Sequence, residues 1–238
     1  MQREWESLSA EEVLGRTADV ASAPAFATSM GMEDQVILDM IARLGLEIPV
    51  FTLDTGRLFP ETYDLIAASE ERYGIRIRTY SPDAAALESM VCEHGINLFR
   101  DSVANRKLCC GIRKLEPLRR ALAGKDAWIC GLRREQSAGR SEVREADWDA
   151  AHGMLKVCPL AGWSWDRVTA YVRDRDGPYN PLHDQGFLSI GCACCTRAVA
   201  PGEDARAGRW WWETETKKEC GLHWVDGKPV RPGAAEEQ

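Results

Sequence analysis

The sequence predicts an α/β protein built on an open, mainly parallel β-sheet with helices on both faces. The main observation is that short apolar runs alternate with helix-patterned segments along most of the chain. Such alternation is typical of βαβ units, whose strands run parallel because a helix connects them. A second observation limits the sheet. From about Asp176, Gly, Pro, Cys and Trp dominate and the periodicity is lost, so the C-terminal segment is expected to be irregular and rich in Cys and Trp.

Strands are predicted where apolar runs are too short to form helices. The apolar stretch APAFAT leads into a strand-to-helix turn, TSMGMEDQ. Four further runs are predicted to be strands, and they begin at Pro49 (PVFTLDT), Ile75 (IRIRTY), Ala127 (AWICGL) and Lys156 (KVCPL).

Helices are predicted where apolar residues recur every three or four positions. Proline favours the first turn of a helix, glycine the position after its end, and serine the N-cap. These signals place helices at 33–44 with Gly45 following, at Pro60–Tyr73, at Ala84–Cys92, at Ile112–Leu122 with a basic face, and at Ser164–Arg173 with Ser164 as N-cap.

Three segments follow from this pattern. Residues 1–23 form an N-terminal helical segment, residues 24–200 form the α/β domain, and residues 201–238 form a mobile C-terminal tail. The N-terminus lacks the pattern of a signal peptide, and no run approaches the ~18 apolar residues of a membrane span. A cytoplasmic protein that does not span a membrane is therefore expected.

The charge is unevenly distributed. The net charge is −7, yet residues 100–144 carry twelve Lys or Arg against five Asp or Glu. An acidic protein with one basic stretch is a poor candidate for general nucleic-acid binding. The basic stretch fits a pocket for a small polyanion, or else a solvated basic helix face.

The nine cysteines indicate metal or redox chemistry, because an odd number in a reduced compartment argues against a disulfide framework. Cys109 and Cys110 are adjacent, and Cys192 and Cys195 form a CxxC pair. Four such thiolates can hold an iron–sulfur cluster or a structural zinc ion. Cys220 stands apart in KKECGLH, among lysines and a histidine, where a thiol nucleophile is favoured.

Three loops at predicted strand ends suggest an anion or nucleotide site. Small residues at a strand-to-helix turn let backbone N–H groups approach a phosphate, and arginine binds two oxygens of phosphate or sulfate at once. An ordinary tight turn is the alternative for the first loop, and a turn cap is the alternative for Asp54. The candidate residues are Ser29 and Gly31, then Asp54, Thr55 and Gly56, then Arg133, Arg134 and Arg140.

The motifs together resemble those of the assimilatory adenylyl-sulfate (APS) reductases, which belong with the phosphoadenylyl-sulfate (PAPS) reductases. The resemblance runs from about residue 24 to residue 224. It is carried by SMGMEDQ, LDTGRLFPET, KLCCGIRKLEPLRRAL, GLRREQS, SIGCACCT, GEDARAGRWWWE and KKECGLH.

The resemblance implies an adenine-nucleotide α-hydrolase-like, PP-loop-like sheet and a role in sulfate assimilation and cysteine biosynthesis. APS would be the substrate, and Cys220 would attack its sulfate sulfur so that AMP leaves. Thioredoxin or a similar dithiol would then release sulfite from the enzyme S-sulfocysteine. Homodimers or homotetramers are expected from the family.

The resemblance also implies ligands and contacts. Cys109, Cys110, Cys192 and Cys195 match the ligands of one [4Fe–4S] cluster per subunit, which we expect to act electrostatically or structurally. Lys114 matches a lysine between cluster and substrate. Residues that match anion-contacting or tail-positioning groups are Arg140, Arg206, Arg209 and His223.

The chain departs from the family pattern at Cys194, where proline is usual. Motif register assigns Cys192 and Cys195 as ligands rather than Cys194. Three functions compete with APS reduction at this point: reduction of PAPS or of both substrates, pyrophosphatase chemistry on ATP in tRNA modification, and a zinc or cluster module without catalysis.

Several residues with possible roles lie outside these sets. Cys92, Cys130 and Cys158 have apolar neighbours in the sequence and are expected in the core. His183 could fix a loop or act in catalysis. The three consecutive tryptophans could anchor the tail or stack on adenine; they are Trp210, Trp211 and Trp212.

Overall fold

A six-stranded β-sheet forms the centre of the protein in the computed structural model, which describes residues 2–213. The strands are short, at three to five residues each. In chain order they are β1 (Pro24–Thr28), β2 (Val50–Leu53), β3 (Ile77–Tyr80), β4 (Ala127–Ile129), β5 (Ala146–Asp149) and β6 (Met154–Val157). Their order across the sheet is β3-β2-β1-β4-β6-β5, and all pairs are parallel except β5 with β6.

Helices connect and flank these strands. In chain order they are α1 (Gln2–Glu6), α2 (Ala10–Val20), α3 (Met32–Arg43), α4 (Pro60–Tyr73), α5 (Ala84–His94), α6 (Val103–Cys110), α7 (Glu116–Leu122) and α8 (Trp165–Asp174). A five-residue π-helical turn, Gly111–Leu115, joins α6 to α7. Short 3₁₀ turns span Leu98–Arg100, Arg134–Gln136, Ala138–Arg140, Pro181–Gln185 and Ala193–Cys195.

Alternation along the strands divides the core between the two faces of the sheet. Phe26 and Ile129 point into the larger core, which α2, α3, α4 and α8 cover. Their strand neighbours Ala25 and Trp128 point into the opposite core, where α7 packs. Successive residues of a strand face opposite sides, so one strand supplies both cores. The predicted α/β fold with helices on both faces is thus confirmed.

The predicted helix at Pro60–Tyr73 matches α4 in both bounds, and Ser164 caps α8 by accepting from the Arg167 backbone N–H at 3.2 Å. Helix α6 and strand β5 escaped prediction. Strand β5, ADWD, carries two aspartates and an exposed tryptophan, a composition that is poor for a buried strand. The helix predicted at Ile112–Leu122 begins as the π-helical turn.

The described N-terminal helices pack onto the domain, since Val13 and Leu14 of α2 are fully buried in the larger core. One core prediction is wrong: Cys92 lies on the exposed side of α5. Among residues 2–213, no helix is both long and apolar enough to cross a lipid bilayer.

Candidate active site and cysteine cluster

A cavity of about 450 Å³ opens at the carboxyl ends of β1, β2 and β4. Strand β1 lies between β2 and β4 at the centre of the sheet, and chain order reverses direction across it. In open α/β sheets such a switch point is where ligands bind, because the loops after the two strands diverge there. We call this space the switch-point cavity.

The loop after β1 is held by a carboxylate from α3. Asp34 accepts hydrogen bonds from the Ser29 backbone N–H at 2.6 Å, the Ser29 hydroxyl at 2.8 Å and the Gly31 backbone N–H at 3.2 Å. Asp34 is only 3% exposed, and burial raises the pKa of its carboxyl to about 6. The N–H groups expected to bind phosphate are therefore engaged by Asp34, and a bound anion would share or displace that contact.

Backbone strain marks the same loop. Met30 adopts a φ of 61°, which is uncommon for a residue with a side chain, and it is 1% exposed. The Thr28 hydroxyl accepts from the Met30 backbone N–H at 3.0 Å and holds this conformation. Strained residues of this kind often cluster at functional sites.

The loop after β4 carries an arginine that is largely neutralised. Arg133 is 3% exposed, and its guanidinium pairs with Glu33 at 2.8 Å and with Glu135 at 3.0 Å. Gln136 also donates to Glu33, at 2.9 Å, and it accepts from Arg140 at 2.5 Å. This network fixes the loop against α3, so in this structure Arg133 supports the cavity wall through its ion pairs.

The four predicted ligand cysteines converge in one cluster. Cys109, Cys110, Cys192 and Cys195 are each 7–8% exposed and line a second, small cavity beside the switch-point cavity. We call it the cysteine cavity. Cys194 lines it too, with its sulfur 3.7 Å from that of Cys195. The donor set of buried thiols therefore fits a soft metal group such as an iron–sulfur cluster.

Local backbone geometry explains how adjacent cysteines face one cavity. Cys109 and Cys110 are the last residues of α6, and the π-helical turn begins at Gly111. A π-helical turn changes the direction in which side chains project, so two neighbours can share a site at this point. On the opposite wall, the Cys195 backbone N–H donates to the Cys192 carbonyl at 2.9 Å in a 3₁₀ turn.

Cations and hydrogen-bonding groups surround the thiols. The Thr55 hydroxyl lies 3.3 Å from the Cys192 sulfur, and Arg113 donates to the Thr55 carbonyl at 2.6 Å. Burial raises the pKa of Cys109, and the positive charge of Arg113 opposes that effect. Arg57 and Arg113 both line the cysteine cavity. These cations offset the charge that buried thiolates would bring.

Two basic residues line both cavities: Lys114 and Arg209. Arg209 donates to the Ile190 carbonyl at 3.3 Å and is 6% exposed. A β-carbon on Gly191 would collide with the Arg209 guanidinium, so a larger residue at this position would require the guanidinium to move. Positive charge therefore lies between the thiol cluster and the nucleotide-sized space.

Tryptophan packs against the cysteine cavity rather than the switch-point cavity. Trp210 is 1% exposed, lines the cysteine cavity and donates its backbone N–H to the Cys195 carbonyl at 3.1 Å. Its side chain stacks on Arg106, 4.5 Å from the ring centre. None of Trp210, Trp211 and Trp212 lines the switch-point cavity, so packing rather than adenine stacking describes them in residues 2–213.

The predicted substrate residues divide into two groups. Those that line the switch-point cavity are Ser29, Gly31, Thr55, Lys114, Arg133, Arg140, Arg206 and Arg209. Three others do not line it: Asp54, Gly56 and Arg134. Asp54 accepts from Gly56 N–H and from Tyr63, each at 2.8 Å, so it caps the turn. Arg134 pairs with Glu145 at 3.0 Å. Cys220 and His223 lie outside the described residues.

Sequence reasoning missed several members of the site. Arg57 and Arg113 stand inside the recognised motifs, but nothing in the sequence indicates that they face the thiols. Glu33 and Gln136 owe their role to contacts about 100 residues apart in the chain. His183 lines the switch-point cavity, and its Nδ1 lies 2.8 Å from the Phe187 carbonyl, which supports the loop-fixing interpretation.

Within residues 2–213, no three His, Cys, Asp or Glu side chains are grouped closely enough to hold a single metal ion. A structural zinc ion requires such convergence at about 2.3 Å from each sulfur. A [4Fe–4S] cluster takes one thiolate on each of its four irons, so its cysteines are spaced more widely than those around a single zinc ion.

The chain is similar to known proteins over most of its length. Residues 23–198 match the model of the phosphoadenosine phosphosulfate reductase domain. A protein named adenosine 5'-phosphosulfate reductase from Allochromatium vinosum is 52% identical over 223 residues, which cover 94% of this chain and 87% of that one. A protein of the same name from Burkholderia cepacia is 50% identical over 211 residues, covering 89% of this chain and 84% of that one.

Solved structures agree on the fold. A phosphoadenylyl-sulfate (PAPS) reductase from Candida auris superposes with a TM-score of 0.71 at 29% identity, covering 81% of this chain and 92% of that one. Yeast FAD synthetase gives a TM-score of 0.55 at 16% identity, covering 83% of this chain and 67% of that one, which is a likeness of fold alone.

Proposed function

The chain belongs to the phosphoadenosine phosphosulfate reductase family, and we propose that it reduces adenosine 5'-phosphosulfate (APS) to sulfite and AMP in sulfate assimilation. Relatives that bear the corresponding enzyme name are about half identical over nearly the whole chain. The structural observation that carries the proposal is that Lys114 and Arg209 line both the switch-point cavity and the cysteine cavity. This arrangement suits a nucleotide whose anionic end approaches a negatively charged thiolate cluster.

The proposed reaction has two steps. The Cys220 thiolate attacks the sulfur of APS, a new S–S bond forms, the S–O bond to the phosphate breaks, and AMP leaves. A dithiol such as thioredoxin then attacks the Cys220 sulfur and sulfite departs with the electron pair of the S–S bond. The second thiol of the reductant closes its disulfide and frees Cys220. The dithiol supplies both electrons and is the species oxidised.

The described residues bind and orient the substrate in this scheme. An AMP leaving group is stable as a phosphate monoester, so proton donation is of little importance. Arg140, Arg206 and Arg209 supply positive charge along the cavity, where arginine binds phosphate or sulfate oxygens in pairs. Arg133 holds the wall through Glu33 and Glu135. In the described chain, five basic and four acidic side chains line the cavity, and two of the acids, Glu33 and Glu135, pair with Arg133.

A [4Fe–4S] cluster is proposed as the resident group of the cysteine cavity, held by Cys109, Cys110, Cys192 and Cys195. When bound, it supplies a fixed centre of charge and ties α6 to the 3₁₀ turn at Ala193–Cys195. Arg57, Arg113 and Lys114 offset its negative charge from the cavity wall. The reducing conditions that such thiols need are those of a cytoplasm. Thioredoxin as reductant and a homo-oligomeric state complete the proposal.

The test is an anaerobic assay of sulfite and AMP release from APS, with thioredoxin and its reductase as electron source. We expect turnover with APS, and about four iron and four sulfide per chain. PAPS serves as the matched substrate, since it differs by one 3'-phosphate. Turnover with PAPS but not with APS would overturn the substrate assignment. A zinc content of one per chain without iron would overturn the cofactor.

A further inference from the structure

Two further cysteines meet beneath the switch-point cavity. The sulfurs of Cys130 and Cys158 lie 3.5 Å apart, and the two residues are 4% and 2% exposed. They form a small core of their own with Leu132 and Ala161, separate from the four cluster cysteines. The proposed reaction uses neither thiol, so the pair is available for other chemistry.

The strand register brings the two residues together. Ile129 of β4 pairs with Val157 of β6, and the Cys130 backbone N–H continues the ladder to the Val157 carbonyl at 3.0 Å. Cys130 and Cys158 are thus the next facing pair on neighbouring parallel strands. Such strands lie about 4.8 Å apart, inside the range of about 4.4–6.8 Å between α-carbons that a disulfide spans. A bond requires the sulfurs to approach by about 1.5 Å more.

The chemistry of the pair is asymmetric. Cys130 lines the switch-point cavity, whereas Cys158 does not. The hydrogen bond between the thiols lowers the pKa of Cys130 against the effect of burial, and the charge of Lys156 adds to this. The same hydrogen bond, together with burial, raises the pKa of Cys158. Cys130 is therefore the thiol that is both reachable and more readily ionised.

We propose that Cys130 and Cys158 are a reversible redox-modification site, oxidised to a disulfide by low-molecular-weight disulfides that enter through the switch-point cavity. The Cys130 thiolate attacks one sulfur of the oxidant and displaces the other half as a thiol, leaving a mixed disulfide. The Cys158 thiolate then attacks the Cys130 sulfur and expels the second thiol. The oxidant takes up two electrons, and the two protein protons are transferred to the two thiols released. Nucleotide in the cavity blocks the first step.

The experiment treats the anaerobic, cluster-containing full-length protein with bis(2-hydroxyethyl) disulfide, and quenches samples over time for peptide mass mapping. Trypsin releases Cys130 in residues 126–133 and Cys158 in residues 157–167, each with one cysteine. We expect these peptides to become linked with loss of two hydrogens. In Cys158→Ser, a hydroxyethylthio adduct should remain on Cys130, while Cys130→Ser should leave Cys158 unmodified.

Exposed Cys92 is the internal control, because its modification should not depend on the cavity. AMP at 100 times its Kd leaves about 1% of sites empty, so linking should slow about 100-fold while Cys92 reacts unchanged. Complete reaction of Cys92 with the pair still reduced would overturn the proposal. Equal linking rates with and without bound AMP would overturn the cavity route.

The expected protection by AMP rests on the proposed function. Titration calorimetry of AMP binding tests that function separately from the thiol pair. Absence of AMP binding would count against the proposed function alone, since the linked peptide decides the thiol pair independently.

Discussion

Substituting Gly131 by alanine tests the packing of the switch-point cavity. A β-carbon at Gly131 would overlap Asp34 Oδ1 and lie 3.0 Å from Glu33 Cβ. Asp34 would have to move, and its three hydrogen bonds to Ser29 and Gly31 would weaken. Overpacking costs about 1–3 kcal/mol, and loss of a hydrogen bond to a charged group costs about as much. We therefore expect Gly131→Ala to destabilise the protein by about 2 kcal/mol.

The same displacement deforms the loop that forms the cavity wall, so AMP should bind about 10- to 100-fold more weakly. Each factor of ten corresponds to a loss of about 1.4 kcal/mol of binding free energy. Urea denaturation measures the stability and titration calorimetry measures the binding. Gly139→Ala is the matched control in the same loop, because its nearest contact would be Ser137 Oγ at 3.9 Å. If Gly131→Ala and Gly139→Ala behaved alike in both assays, the inference from close packing would be refuted.

Three more predictions concern charge and ligation. Burial raises the pKa of Asp34 from 3.8 to about 6, so the protonated carboxyl favours folding. This contribution to the free energy of unfolding, about 3 kcal/mol in all, is present below about pH 3.8 and is lost as the pH rises through 6. Asp34→Asn should remove this pH dependence from the unfolding free energies measured by urea denaturation. Cys194→Ala should retain the iron and sulfide content of the parent protein, measured colorimetrically, and a halved content would assign Cys194 as a ligand. Glu213→Gln should lower the unfolding free energy by about 3 kcal/mol, because it removes one charge of a buried ion pair whose atoms, Arg106 Nε and Glu213 Oε1, lie 2.5 Å apart; an unchanged denaturation midpoint would contradict this.

Much of the fold was predictable because local signals agree with the tertiary structure. Helix α4 begins at Pro60 and ends before Gly74, whose φ of 63° suits glycine, and both signals are in the sequence. Strand β5 was missed because this edge strand, with its two middle residues Asp147 and Trp148 exposed, lacks the apolar run that marks buried strands. Cys92 was misplaced because an apolar neighbourhood in sequence does not settle which side of a helix a residue occupies.

The site was predictable where motifs bring a known set of residues, and less so where contacts are distant. The four cysteines meet as the resemblance implies, yet their meeting depends on the π-helical turn at Gly111–Leu115, which no spacing rule indicates. The engagement of the Ser29–Gly31 loop by Asp34 was also unforeseen. This contact is local, since a carboxylate three residues into a helix is a common cap, but the small residues of the turn favoured phosphate as the acceptor for the same N–H groups.

The most direct test of the proposed reduction is single-turnover incubation of the anaerobic protein with ³⁵S-labelled APS, followed by intact mass analysis without reductant. We expect one sulfonate adduct per chain that retains the label, is absent in Cys220→Ser, and is discharged as sulfite by thioredoxin. No adduct with APS or with PAPS, in protein whose visible spectrum shows an intact cluster, would contradict the proposed reduction.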